Sequence, residues 1–324
     1  MKIRNLDLEA SENDSHRQLG LPPLEQAVTH PGTHPVLRLA VGFVMATLLA
    51  ISLYLVSRLF LQNDLAGALQ AVLETLTGYS FWAAVLVGFA AQAVDGALGM
   101  AYGITATTFL LGTGVTPAIA TASVHMAEVF TTGFSGVSHV RYGNVNKSLF
   151  LKLLVPGIVG ALLGVVLVTQ IDGAILKPYI SAYLLLMGLF ILSKAFRRLR
   201  RAAHEPRHVA KLAVCGGFVD TVGGGGWGPV VTTTLIGSGH DPRTTIGSVN
   251  FAEFFLSLSS AAAFAVLVGP DTWPTIAGLV LGGVFAAPLA AVLTRKLSPR
   301  TLLVLVGILI STLSVYNLYR ALLA

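Results

Sequence analysis

The chain has 324 residues, 54% hydrophobic and 11% charged, with a formal net charge of +6 and a mean hydropathy of +0.75. This balance excludes an ordinary water-soluble domain and leaves an all-α polytopic membrane protein. The single cysteine, Cys215, excludes an intrachain disulfide, and no Cys or Cys/His ligand framework is present.

Residues 1–35 carry mixed charge, several prolines and the histidines His16, His30 and His34, with no sustained apolar period. They read as a mobile cytoplasmic tail, its histidines solvated rather than metal-binding. The first apolar run, 36–60, starts too late for a cleavable signal and is long enough to span. It reads as an additional N-terminal transmembrane helix within residues 36–62.

From residue 80 onward the chain repeats itself. Residues 94–130 and 219–255 align without a gap at a fixed offset of 125: Asp95 on Asp220, Gly99 on Gly224, Gly103 on Gly228, Thr107 on Thr232, Pro117 on Pro242, Ser123 on Ser248, Glu128 on Glu253. An internal repeat sets the architecture before any local reading. Repeat 1 (80–200) predicts a short apolar stretch over 81–94, a polar glycine-rich interruption, a second short stretch to Gly112, and full spans over 117–139, 149–169 and 177–196. Repeat 2 (206–320) predicts the same order: 209–219, an interruption, a stretch to Gly237, then spans over 243–266, 274–294 and 301–320. The interruption at 223–228 (Gly223, Gly224, Gly225, Gly226, Trp227, Gly228) would cost a helix roughly 1 kcal/mol per glycine relative to alanine. Irregular backbone at membrane depth is tolerated only where protein buries it or water reaches it. Each copy therefore reads as a glycine-rich re-entrant hairpin or a broken helix. Gly112 and Gly160 read as packing glycines instead.

Charge gives orientation. The run Lys194, Arg197, Arg198, Arg200, Arg201, Arg207, Lys211 reads as cytoplasmic by the positive-inside bias. It is a topology signal, and no nucleic-acid partner is assigned to it. Walking the spans in both directions puts Arg141, Lys147, Lys152 and Arg295, Lys296, Arg300 on the same side, and Gly269-Pro270-Asp271-Thr272 outside. The two repeats are then inverted in topology, with the N-terminus cytoplasmic and the C-terminus outside, the arrangement on which alternating access is built.

The repeated motif carries the chemistry. Broken helices present free N–H groups and positive dipole ends, which suit an anion. The following span holds His125 and Glu128 on one face, and Asn250 and Glu253 at the matching positions. An ionisable group within a span is by default functional. No Lys or Arg sits clearly inside a span near these motifs, so an anion would be held by backbone N–H groups at Gly99, Gly103 and Gly223–Gly226, by hydroxyls such as Thr107, Ser123 and Ser248, by the Trp227 N–H and by Asn250. Asp95 and Asp220 open the two motifs, His125 adds charge if protonated, and Glu128 and Glu253 are the candidate proton carriers.

The paired segments DGALGMAYG (95–103) and DTVGGGGWG (220–228), each followed by Gly-x-x-Pro and an Ala/Ser-rich span (PAIATASVHMAE, 117–128; PRTTIGSVNFAE, 242–253), resemble the TauE/SafE sulfite exporter family, also called the four-toluene-sulfonate uptake permease family. The resemblance covers about residues 80–320. It implies a secondary transporter of small sulfur-containing anions (sulfite, sulfonates or related organosulfur compounds) in the cell inner membrane. With protons as the coupling ion, it would have no cofactor, and a homodimer is one assembly it could form. The first copy departs from the glycine-richest form, with Ala97, Leu98, Met100 and Ala101 where the second has Val222, Gly223, Gly225 and Gly226. Two other readings compete. His125, Glu128, Asn250 and Glu253 could ligate a divalent metal as cargo, although a Ser/Thr/Gly lining is not a metal signature. Asp95 and Asp220 could form the carboxylate pair of an intramembrane hydrolase, although aspartates at the edge of glycine runs also suit helix-end capping.

Overall fold

The computed structural model describes residues 34–61, 65–98, 100–196, 208–268, 273–296 and 299–323. Nearly all of the tail, Gly99, the centre of the basic run, Asp271 and Ala324 lie outside the described residues. The elements are α1 (Pro35–Leu61), α2 (Leu65–Thr77), α3 (Tyr79–Leu98), α4 (Tyr102–Gly112), α5 (Pro117–Arg141), α6 (Lys147–Gln170), α7 (Gly173–Lys194), α8 (Val209–Gly223), a π-helical turn (Gly228–Thr232) running into α9 (Thr233–Gly237), α10 (Pro242–Leu267), α11 (Trp273–Lys296) and α12 (Pro299–Leu323). The protein is an all-α polytopic membrane protein. Each of the seven full spans expected from the sequence corresponds to one long helix, and five described stretches satisfy both the length and the apolarity needed to cross a bilayer.

The helices start where local chemistry lets them. α5 and α10 begin at prolines, which lack the N–H that a first turn leaves unbonded anyway. The preceding side chains cap them alike: Thr116 accepts from the Ile119 N–H at 3.4 Å, and Asp241 from the Thr244 N–H at 2.8 Å. Outer faces are apolar, as Leu39 (77% exposed) and Leu86 (70%) illustrate, while Thr105, Thr107, Ser123, His125, Glu128 and Asp220 are buried inside. Apolar outside and polar inside is the distribution a lipid solvent imposes.

A broken helix followed by three long ones occurs twice in the chain, and the packing follows the same order. α3 lies against α11 and α8 against α6, while α5 pairs with α10 and α7 with α12. Exchanging the two series maps this pattern onto itself. Close approach at the first two interfaces depends on glycine. A β-carbon at Gly282 would run into the Val85 carbonyl, and one at Gly217 into the Gly157 carbonyl. Gly160 likewise faces the Val214 backbone, the packing role its sequence context suggests. α2 was not expected from the sequence. It is a short turn of chain between longer apolar runs, pinned at its end by the Trp82 indole, which donates to the Leu76 carbonyl at 2.6 Å.

Candidate functional site

Both helix breaks are real, and they touch. The first falls between α3 and α4, where Ala101 has φ 93°, the one non-glycine residue with positive φ among those described. An alanine held there costs about 1–2 kcal/mol. The second follows α8, where Gly224 (φ 64°) and Gly225 (φ 152°) turn the chain through conformations that only glycine adopts without strain. A β-carbon on Gly103 would stand 2.6 Å from the Gly224 carbonyl oxygen, and one on Gly225 would strike the Ile104 nitrogen. The two breaks therefore cross backbone to backbone.

Each break is bridged by its own aspartate in the same way. Asp95 Oδ1 accepts from the Tyr102 N–H at 3.3 Å, and Asp220 Oδ1 from the Trp227 N–H at 2.8 Å. These are matching atoms at the offset of 125, each carboxylate closing over the N–H of the residue where the helix restarts. The carbonyls left bare by the second break are taken by hydroxyls from the first half of the chain: Thr121 donates to Thr221 O at 2.7 Å, Thr107 to Gly224 O at 2.7 Å, and Tyr183 to Gly225 O at 3.0 Å. Buried backbone groups must find partners, and here the first half supplies those of the second.

Around the crossing lies a cavity lined by Asp95, Met100, Ala101, Tyr102, Gly103, Ile104, Glu128, Asp220, Gly225, Gly226, Gly228, Pro229, Thr232, Ile246, Val249, Asn250 and Glu253. All four acids of the repeated motif meet there. The first residues of α4 (Tyr102, Gly103, Ile104) face it, so a positive helix end points inward. The Tyr102 hydroxyl and the Asn250 side-chain oxygen are buried without a hydrogen-bond partner.

His125 stands behind this lining and links the halves. The Thr121 carbonyl can only accept, so the ring Nδ1 donates to it at 2.8 Å. The Nε2 edge then meets Asp220 Oδ2 at 3.3 Å, and a hydrogen bond there needs one proton, on the ring or on the carboxyl. Glu128 accepts from the Ser257 hydroxyl at 3.3 Å. His125, Glu128 and Asp220 each bring one ligand-type atom within 4.8 Å of the others. This trio differs from the four-residue set that the sequence suggested for a metal, since it includes Asp220 and leaves out Glu253. The hydrolase reading loses ground, because one oxygen of each aspartate already caps a helix restart.

The other residues singled out in the sequence lie one layer back. Thr107 and Gly224 bond each other, and Gly223 packs against the Tyr183 ring. The Trp227 indole is fully buried and donates to the Val249 carbonyl at 3.0 Å, so it is not free for a ligand. Ser248 donates to Thr244 O at 2.6 Å and receives the Asn146 N–H at 2.8 Å. Ser123 is buried with its hydroxyl unpartnered, and Gly99 is outside the described residues. Thr232, one of the hydroxyls the repeat offers to an anion, does line the cavity. Sequence reasoning missed Tyr102 there. It also missed Lys194, whose Nζ donates to the Thr233 hydroxyl and approaches Met100 Sδ at 3.5 Å. The view that no cation reaches the motifs is thus corrected: a lysine at the foot of a span extends back along it to both breaks.

The sequence pattern that defines the family described as "Sulfite exporter TauE/SafE" matches residues 84–317. The chain belongs to this family. It is also similar to the "Probable membrane transporter protein YtnM" of Bacillus subtilis (strain 168), 45% identical over 231 residues, which cover 68% of this chain and 77% of that protein. No solved structure matches the chain. The TauE/SafE match takes in both breaks and every long helix except α1. The family assignment and the helices together make the chain a multi-pass membrane transporter.

Proposed function

We propose that the chain is a secondary transporter of small sulfur-containing anions (sulfite, sulfonates or related organosulfur compounds), coupled to protons and working by alternating access. One observation carries this reading: matching helix breaks from two halves of the chain cross at a single cavity on which both pairs of acids converge. A cavity between two related halves is where a rocking transporter holds its substrate. Helix restarts offer N–H groups to an anion, and the family name points to sulfite. The four carboxylates repel an anion unless protons neutralise them, so proton and anion bind together. Glu128 and Glu253 are the carriers in this scheme, and the His125–Asp220 contact holds a further proton between the halves. The protein sits in the cell inner membrane with its N-terminus cytoplasmic and its C-terminus outside.

The test is flux in proteoliposomes. The wild-type protein should move sulfite or taurine faster when a pH gradient is imposed. Glu128→Gln and Glu253→Gln, which mimic the protonated side chains, should bind the anion yet lose the response to the gradient. Wild-type response in both variants would make the carboxylates structural. Uptake of Zn²⁺ with no anion flux would replace the reading with divalent-metal transport, for which the His125–Glu128–Asp220 trio is the specific support.

A further inference from the structure

The proposed anion pathway has an electrostatic difficulty: Asp95, Glu128, Asp220 and Glu253 line the cavity, and among the described residues no lysine or arginine does. Among the described residues, one cationic side chain bonds to the breaks. Lys194 closes α7, and its ammonium donates to Thr233, the residue just after the π-helical turn of the second break, and to Met100 of the first. Met100 itself lines the cavity, so Lys194 stands one side chain behind the wall. The ammonium also lies over the Phe190 ring, 4.9 Å from its centre.

Nothing in these contacts neutralises the charge. A hydroxyl and a thioether are both neutral, and thioether sulfur is a weak acceptor. The one ion-pair contact among the described residues is His125 with Asp220, so among them Lys194 has no carboxylate partner. Half-buried, it carries a desolvation cost that a purely structural lysine would offset with a counter-ion. Met100 is unbranched and rotates readily, so a small displacement of its thioether opens the ammonium to the cavity.

We propose that Lys194 is the anion-capture residue of this transporter: it receives the charged oxygens of a sulfite or sulfonate at the rim of the cavity, in exchange for its contacts with Thr233 and Met100. The proposal rests on the anion-transport reading above and names the side chain that admits the anion. Because the same ammonium ties one break to the other, anion capture also loosens a contact between the two halves.

The experiment uses the full chain in proteoliposomes, with sulfite as the probe and thermal unfolding midpoints measured in parallel. Lys194→Gln should raise the half-saturating sulfite concentration by about tenfold or more, as the loss of a charge-assisted hydrogen bond predicts, with the maximal rate little changed. Lys194→Arg should stay close to wild type. Thr233→Val removes the competing hydroxyl contact but keeps the charge, and should leave sulfite affinity at least as strong as in the wild type. Wild-type half-saturation in Lys194→Gln would overturn the proposal. So would an equal loss of flux in Lys194→Gln and Thr233→Val with equally lowered midpoints, which would make the contact a clasp and nothing more. A wild-type protein with no sulfite or taurine flux over empty vesicles would remove the transport reading, and this inference with it. Flux in the wild type with no effect of Lys194→Gln removes the inference alone.

Discussion

Asp95 and Asp220 occupy matching positions and accept matching backbone N–H groups, but the two bonds differ in consequence. Asp220 holds Trp227 at the shorter distance of 2.8 Å and also meets His125. Asp95 holds Tyr102 at 3.3 Å, and its position opposite the second half has Asn250 in place of a histidine. Removing an acceptor from a buried donor costs about 1–3 kcal/mol. Asp220→Ala should therefore lower the unfolding midpoint in detergent clearly more than Asp95→Ala, which thermal unfolding of the two purified variants would check. Equal losses would show that the histidine contact adds nothing to stability. The acids were legible in the sequence because a charge within an apolar span stands out and both copies keep it. Lys194 was not legible. Position alone cannot tell a lysine that snorkels outward with its basic neighbours from one that turns back along its helix.

At the level of elements, the breaks could be foreseen and their crossing could not. Five glycines in six positions announce that no regular helix passes through 223–228. That the loop meets Gly103 and Ile104 of the other copy is a tertiary fact with no local signal. It does explain why glycine is needed at 103 as well as at 225. Gly225→Ala would combine a left-handed φ with a β-carbon driven into the Gly103–Ile104 backbone. A loss of at least about 2 kcal/mol is expected, against almost none for Gly237→Ala, which has open space around it. Comparing the yield and midpoint of the two variants tests this. α2 escaped notice because its 13 residues mix leucine with Gln70 and Glu74 between two stronger apolar runs. Only its amphipathic spacing (Leu69, Leu73, Leu76) could have revealed it.

For the molecule as a whole, the orientation proposed from charge placement is open to direct labelling. In a Cys215→Ser background, a cysteine at Asp271 should react with an impermeant maleimide on intact cells, and one at Arg200 should not. The reverse pattern would undo the inverted arrangement of the halves. The spans themselves were read well from hydropathy, since length and apolarity are local properties. Which span packs on which was invisible, because those choices are made by glycines approaching a partner far away in the chain, as Gly282 approaches Val85 and Gly217 approaches Gly157. The exchange of partners also governs the order of synthesis. α3 finds its main neighbour in α11, α6 in α8 and α7 in α12, so a ribosome that has finished the first half has made helices whose permanent partners do not yet exist. Those helices must wait in lipid, with glycine-lined faces uncovered, until the second half is inserted. Assembly of this protein is therefore a late, single event, and its two halves mature together.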